Sequence, residues 1–191
     1  MRVAPREFVA KDGRAFAVRA ARPGEAGGLL DFAWDLHRGE PEVQVFEPDE
    51  FTLTVEHLNG VLRRAEGADN SCFLAAFAGA EVLGTLWLEG ERARKLRHVA
   101  EVGIGVRRDW RRQGMARALL ATAIDAARAS GALRRLTLRV FESNTPAIRL
   151  YESMGFVVEG RRRGQVRIGE RFEDDLLMAL GVGPQAGGGR P

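Results

Sequence analysis

Apolar positions along the chain change period several times, and each change marks an element. AFAVRAA, 15–21, has the short apolar pattern of a strand. Pro23 and Gly24 then mark a turn, and Leu29, Leu30, Ala33, Trp34 and Leu36 recur at helical spacing across 25–37. Residues 40–49 are acidic, hold two prolines and read as a loop. A second helix is predicted over 50–65, with Phe51, Val55, Leu58, Val61 and Leu62 on one stripe. The runs 71–79 and 81–90 flank a glycine turn and suggest an antiparallel hairpin.

Residues 91–98 are basic and polar, a surface connection. The run that follows puts Val102, Ile104 and Val106 on one face and Glu101, Gly103 and Gly105 on the other. An Ala-rich amphipathic stretch, 117–130, reads as a helix ended by Gly131, and LTLRV, 136–140, as a strand. Pro146 suits the first turn of a helix running to about Met154, with Gly155 as its stop. The segments 155–164 and 171–180 close the chain as two strands. The pattern predicts an α/β fold, a mixed central β-sheet flanked by helices, in one domain over 14–180. Residues 1–13 read as a poorly ordered lead-in, and the Gly/Pro-rich tail 181–191 as disordered.

Composition narrows the chemistry. At 191 residues, 45% hydrophobic and 29% charged, the chain suits one sizeable core. A single cysteine, Cys72, excludes a disulfide framework and multi-cysteine metal sites, and His37, His57 and His98 show no ligand spacing, so no metal is expected. No apolar run is long enough to cross a bilayer and the N-terminus is too polar for a signal peptide, so no membrane partner is expected and the cytoplasm is the expected compartment. Charge is uneven: residues 1–90 carry 9 Lys and Arg against 15 Asp and Glu, whereas residues 91–191 carry 20 against 11. The second half is therefore suited to an anion. The basic run at 161–164 lacks interleaved aromatics, so it reads as a solvated or substrate-facing loop, and no nucleic-acid partner is expected.

The anion-binding signal is local. The strand ending at Val106 leads through a short polar loop into a helix that opens on RRQGMA, 111–116. Helix N-termini present unpartnered N–H groups and a favourable dipole to anions. Gly114 permits close approach, and Arg107, Arg108, Arg111 and Arg112 add charge, which together make a phosphate cradle. There is no Walker Gly-Lys-Ser/Thr and no dinucleotide G-x-G-x-x-G. On the local residues alone, a solvated basic helix start with an incidental glycine is the competing description.

The segment VAEVGIGVRRDWRRQGMARALL resembles the acyl-CoA-binding core of the GCN5-related N-acetyltransferases. Arg111 to Ala116 is similar to the superfamily pattern Gln/Arg-x-x-Gly-x-Gly/Ala, and LTLRVFESNTPAIRLYESMGFVVEG to its second block. The C-terminal run resembles the branch of ribosomal-protein alanine acetyltransferases, phosphinothricin acetyltransferases and amino-acid N-acyltransferases. The resemblance implies two parallel strands splayed to admit acetyl-CoA, the expected cofactor. It implies that Arg111, Arg112, Gln113, Gly114, Met115 and Ala116 hold the pyrophosphate. Ile104, Gly105 and Val106 would meet the pantetheine arm, with an amide near Ile104 or Gly105 polarising the acyl carbonyl. Asn144 and Ala147 would contact the cofactor or order its site. Glu101 is the candidate general base, and Tyr151, the only tyrosine, the candidate acid toward the leaving thiolate. Their bland descriptions are a solvated glutamate and a core aromatic; glycines 103 and 105 leave room on that face where a bulky side chain would block a thioester, with tight packing against a helix as the alternative.

For the acceptor, Phe32, Trp34, His98, Arg163 and Asp175 are the candidate substrate residues. Acidic groups near the 40–50 loop suit an amine or polyamine, whereas arginines in 160–172 suit a carboxylate. The implied function is acetyl transfer to a small amine or amino-acid-like substrate by direct attack in a ternary complex. A protein N-terminus as acceptor and a non-catalytic acyl-CoA-binding protein are the alternatives. A homodimer is compatible with such a sheet.

Overall fold

A computed structural model describes residues 1–39, 44–47 and 49–183. Eight strands form one sheet: β1 Arg6–Val9, β2 Ala15–Ala20, β3 Cys72–Ala78, β4 Glu81–Gly90, β5 Val99–Val106, β6 Arg135–Phe141, β7 Val157–Ile168 and β8 Arg171–Gly181. Their order is β1-β2-β3-β4-β5-β6-β8-β7. Every neighbouring pair is antiparallel except β5 and β6. The helices are α1 Ala26–Gly39, α2 Val55–Gly67, α3 Met115–Ser130 and α4 Thr145–Ser153.

Strand alternation sorts the apolar side chains into two layers. On one face Leu74, Leu86, Leu136 and Met178 pack against Leu119, Ala123 and Ala127 of α3 and against Tyr151 of α4. On the other, Ala75, Phe77 and Val82 pack against Leu29 and Phe32 of α1 and Leu58 and Leu62 of α2. The second helical layer sits over β3 and β4. Beside it, Glu101, Thr137, Arg139 and Leu177 line an open cavity of about 520 Å³ over β6, β8 and β7.

Three expectations change. Residues 1–13 contain an ordered strand, β1, which pairs with β2 from Arg6↔Val18 to Val9↔Ala15. Asp12–Gly13 makes the turn, with Gly13 at φ 88°, and Phe8 stacks on Phe16 with ring centroids 5.5 Å apart. Asp-Gly between apolar runs is a hairpin signal, and here it ties down a short edge strand. Helix α2 begins at Val55, because Thr54 caps it by accepting a bond from the His57 N–H at 3.2 Å. Phe51 therefore precedes the helix and packs edge-on against Trp34, with centroids 4.8 Å apart. At the C-terminus, β8 reaches Gly181, and Val182 is buried with its N–H bonded to the Arg134 carbonyl. Residues 184–191 of the expected disordered tail, and 40–43 of the acidic loop, lie outside the described residues.

Candidate active site

The parallel pair β5–β6 is joined over only three positions, Val99↔Arg135, Ala100↔Leu136 and Glu101↔Thr137. Beyond Glu101, β5 continues on β4 to Val106 while β6 continues on β8 to Phe141. The two strands therefore part at mid-sheet and leave a wedge. Backbone polarity along β5 shows what faces it. The Val99 carbonyl accepts from Glu91 and the Arg107 N–H donates to Leu83, both toward the β4 side. The Ala100 carbonyl instead accepts from Thr137 Oγ1 on β6 at 3.4 Å. Because successive residues alternate, Val102, Ile104 and Val106 turn their polar groups into the wedge. The Val106 carbonyl is taken by Arg111 Nε at 3.0 Å. Of the two amides singled out from sequence, Ile104 faces the wedge, whereas Gly105 belongs to the β4 ladder opposite Thr85.

The wedge opens onto the 111–114 loop at the start of α3. Arg112 has φ 61°, the one left-handed non-glycine among the described residues, and Gly114 follows at φ 94° as the N-cap. Left-handed residues interrupting a turn point successive N–H groups to one side and form an anion nest. A Cβ at Gly114 would meet nothing within 4 Å, so the approach to these amides is open. The β1–β2 hairpin braces the loop: the Lys11 N–H donates to the Gln113 carbonyl, and the Asp12 N–H to Gln113 Oε1 at 3.1 Å. Arg14 lies over the Trp110 ring at 3.7 Å and donates to the Asp109 carbonyl at 3.0 Å. The bonds from Lys11 and Asp12 come from the segment expected to be a loose lead-in. Within α3, Met115 is buried, and Ala116 packs at the edge of the same core.

Tyr151 lies on α4, buried against the apolar layer on the wedge's α3 side, 5.9 Å from Phe156 between ring centroids. Burial pushes its phenol up to about 12, so it keeps its proton through the neutral range. Asn144 caps α4: its Oδ1 accepts from the Ala147 N–H at 3.3 Å. That bond gives the asparagine a structural role beside any contact with a ligand.

On the opposite face of the sheet, charged groups cluster around Glu101. Its Oε1 is 3.7 Å from Arg139 Nε, and Arg139 Nη1 is 3.7 Å from Asp175 Oδ2. Asp175 is 2% exposed, and its burial pushes its carboxyl pKa up against the pull of Arg139 and Arg162. Glu89 on β4 stands directly across from Glu101. Carboxylates thus occupy β4 and β5, and the Asp175 carboxylate on β8 lies between the guanidiniums of Arg139 on β6 and Arg162 on β7.

The glycines of β5 serve close packing. A Cβ at Gly103 would lie 2.1 Å from Cε2 of the Trp87 indole, and one at Gly105 2.5 Å from Leu36 Cδ1. Their space is filled by these side chains. Phe32 lies near Gly105, on the Leu36 face of α1, whereas Trp34 turns to Phe51 and Arg38. His98 is exposed ahead of β5 and does not line the cavity around Glu101 and Arg139. Arg163 is exposed where the β7–β8 register shifts. Of the candidate acceptor residues, only Asp175 joins the Glu101 cluster. Trp87, Arg139 and Glu89 were missed, because their place beside Glu101 depends on strand register that sequence periodicity does not carry.

Comparisons with known proteins bear on this geometry. The profile of the acetyltransferase (GNAT) family matches residues 30–156. The L-amino acid N-acetyltransferase AaaT of Escherichia coli K12 is 32% identical over 131 residues, covering 67% of this chain and 80% of that protein. The [Ribosomal protein bS18]-alanine N-acetyltransferase of the same strain is 42% identical over 79 residues, 41% of this chain and 53% of that protein. A GNAT-family acetyltransferase structure from Streptococcus pneumoniae superposes with a TM-score of 0.83 at 31% identity, covering 88% of this chain and 99% of that one. A parallel pair splayed above a glycine-turned helix start, in a chain matched by the family profile over its central two elements of chemistry, has one family reading: the protein belongs to the acetyltransferase (GNAT) family, whose members transfer acetyl groups from acetyl-CoA.

Proposed function

We propose that this protein transfers the acetyl group of acetyl-CoA to the amine of an amino-acid-like acceptor, by direct attack in a ternary complex. The observation that carries the acceptor class is the row of charges across the sheet face: Glu89 on β4, Glu101 on β5, Arg139 on β6, Asp175 on β8 and Arg162 on β7. Glu101 and Arg139 approach to 3.7 Å, so an ammonium beside Glu101 places a carboxylate bonded to the same carbon within reach of Arg139. Paired opposite charges at that spacing suit a zwitterion better than a polyamine. The similarity to an L-amino acid N-acetyltransferase supports the same class.

Acetyl-CoA supplies an activated acetyl thioester. The nest at Arg111–Gly114, extended by Met115 and Ala116 at the start of α3, is suited to its pyrophosphate. The backbone of Val102 to Val106 offers edge hydrogen bonds inside the wedge, and the Ile104 N–H is the donor for the acyl oxygen as negative charge develops there. Glu101 takes the proton that the ammonium must lose before its nitrogen can attack, directly or through a water. Tyr151, fully protonated, presents its O–H to the departing sulfur. Asn144 and Ala147 shape the wall beside it.

A protein N-terminus is the second reading, favoured by the local similarity to the ribosomal-protein enzyme. The two differ in the carboxylate. Thiol release from acetyl-CoA is expected to be at least tenfold faster in kcat/KM with leucine than with leucinamide, since each charge-assisted bond to Arg139 contributes about 1.5–3 kcal/mol. Equal rates would remove the carboxylate from recognition, and preference for peptides would favour the N-terminal reading.

A further inference from the structure

A second cavity, about 460 Å³, lies between α2 and the adjoining ends of β3 and β4, outside the wedge and touching the charged cluster at Glu89. Leu58, Val61 and Ala65 of α2 line one wall, and Phe73, Trp87 and Leu88 the other. Its polar edge is already engaged. Asn70 Nδ2 donates to the carbonyls of Glu91 and Arg97 at 3.2 Å each, and Arg97 pairs with Asp69 at 2.6 Å. Arg64, Glu89, Glu91 and Arg92 complete its rim, and the greater part of its lining is apolar.

Its position relates it to the transfer site. Trp87 lies flat over Gly103 of β5, and Glu89, the next lining residue on the same face of β4, stands across from Glu101. The three features therefore follow one another across the sheet: the apolar cavity against β4, the carboxylates at β4 and β5, the guanidinium of Arg139 on β6. An α-amino acid carries three groups on one carbon, and they match this order.

We infer that the α2–β4 cavity receives the side chain of the acceptor amino acid and selects large apolar side chains over small ones. This rests on the amino-acid reading above. With the amine at Glu101 and the carboxylate at Arg139, the third substituent is directed back over Trp87 toward α2. The cavity is larger than a leucine or phenylalanine side chain requires, so it accommodates such groups without strain and gains from each buried methylene. A glycine acceptor leaves it filled only by water against Phe73 and Trp87.

The test is kcat/KM for glycine, alanine, valine, leucine, methionine and phenylalanine, measured by thiol release with the native protein and with Ala65→Phe. In the native protein the ratio of leucine to glycine is expected to exceed about tenfold, the discrimination that apolar pockets give for small differences in bulk. Ala65→Phe projects a ring into the void from α2 and should lower that ratio by roughly tenfold or more. Thermal melting establishes that the variant is folded, and Ala68→Leu, which fills the cavity from the end of α2, gives the same reading if it is not. A native ratio near one, or a ratio that neither filling variant changes, overturns the inference while leaving amino-acid acetylation in place. If no amino acid is acetylated while another amine is, the amino-acid reading itself fails and the side-chain pocket falls with it.

Discussion

Asp175 is the residue at which stability and function pull apart. A carboxylate 2% exposed loses hydration that the guanidiniums of Arg139, at 3.7 Å, and Arg162 do not fully replace, which is why its pKa is raised. A raised carboxylate pKa means that the folded state holds the proton more tightly than the unfolded chain, where an aspartate titrates near 3.9. Stability is therefore highest below that value and falls as pH rises through the folded pKa. At neutral pH the charged Asp175 is a net cost to the fold. Asp175→Asn should raise the melting temperature at pH 7, measured by thermal melting. The gain should vanish near pH 3. The same substitution takes from Arg139 one of its two carboxylates, and KM for an amino acid should rise more than kcat falls. A lower melting temperature at pH 7 would show that the Arg139 pair outweighs desolvation. Glu101 and Tyr151 could be named as candidates from their place in recognisable segments, but Arg139 and Trp87 could not. Their positions beside Glu101 and Gly103 depend on contacts across strand boundaries, and one-residue shifts of register would send them to the other face.

At the scale of elements, the wedge depends on β5 finding different partners along its length. Its clean alternation made it recognisable as a strand, and the Arg111–Ala116 segment marked the helix start that follows. The short extent of β5–β6 pairing was expected from family resemblance alone, since no residue pattern announces where a ladder stops. The β1–β2 hairpin was passed over as a lead-in despite Asp12–Gly13, because four residues of edge strand carry too little apolar periodicity to stand out. It nevertheless holds the nest through Gln113. Gly114 is the sensitive point of that assembly, since side chains with a Cβ resist φ 94° and the space above it is open to ligand. Gly114→Glu adds backbone strain and a negative charge at the nest. Titration calorimetry should show acetyl-CoA affinity weakened at least tenfold, about 1.4 kcal/mol. Undiminished affinity would move the pyrophosphate away from α3.

Across the whole molecule, the proposed reaction gives the two faces of the sheet different tasks. The α3 and α4 side carries the nest and the Tyr151 phenol, and the α1 and α2 side carries the Glu101–Arg139 cluster and the apolar cavity. The wedge between β5 and β6 is the opening through which they meet. The uneven charge along the sequence foreshadowed the nest, but the acceptor face mixes both signs from distant segments and had no signature in composition. The account stands on transfer of the acetyl group to nitrogen. Its most direct test is mass spectrometry of a reaction containing acetyl-CoA with a labelled acetyl group, the native protein and leucine. The labelled acetyl group is expected on the leucine nitrogen, in step with the CoA released. Release of CoA with the label recovered as free acetate, or binding of acetyl-CoA with no transfer to any amino acid offered, would contradict it.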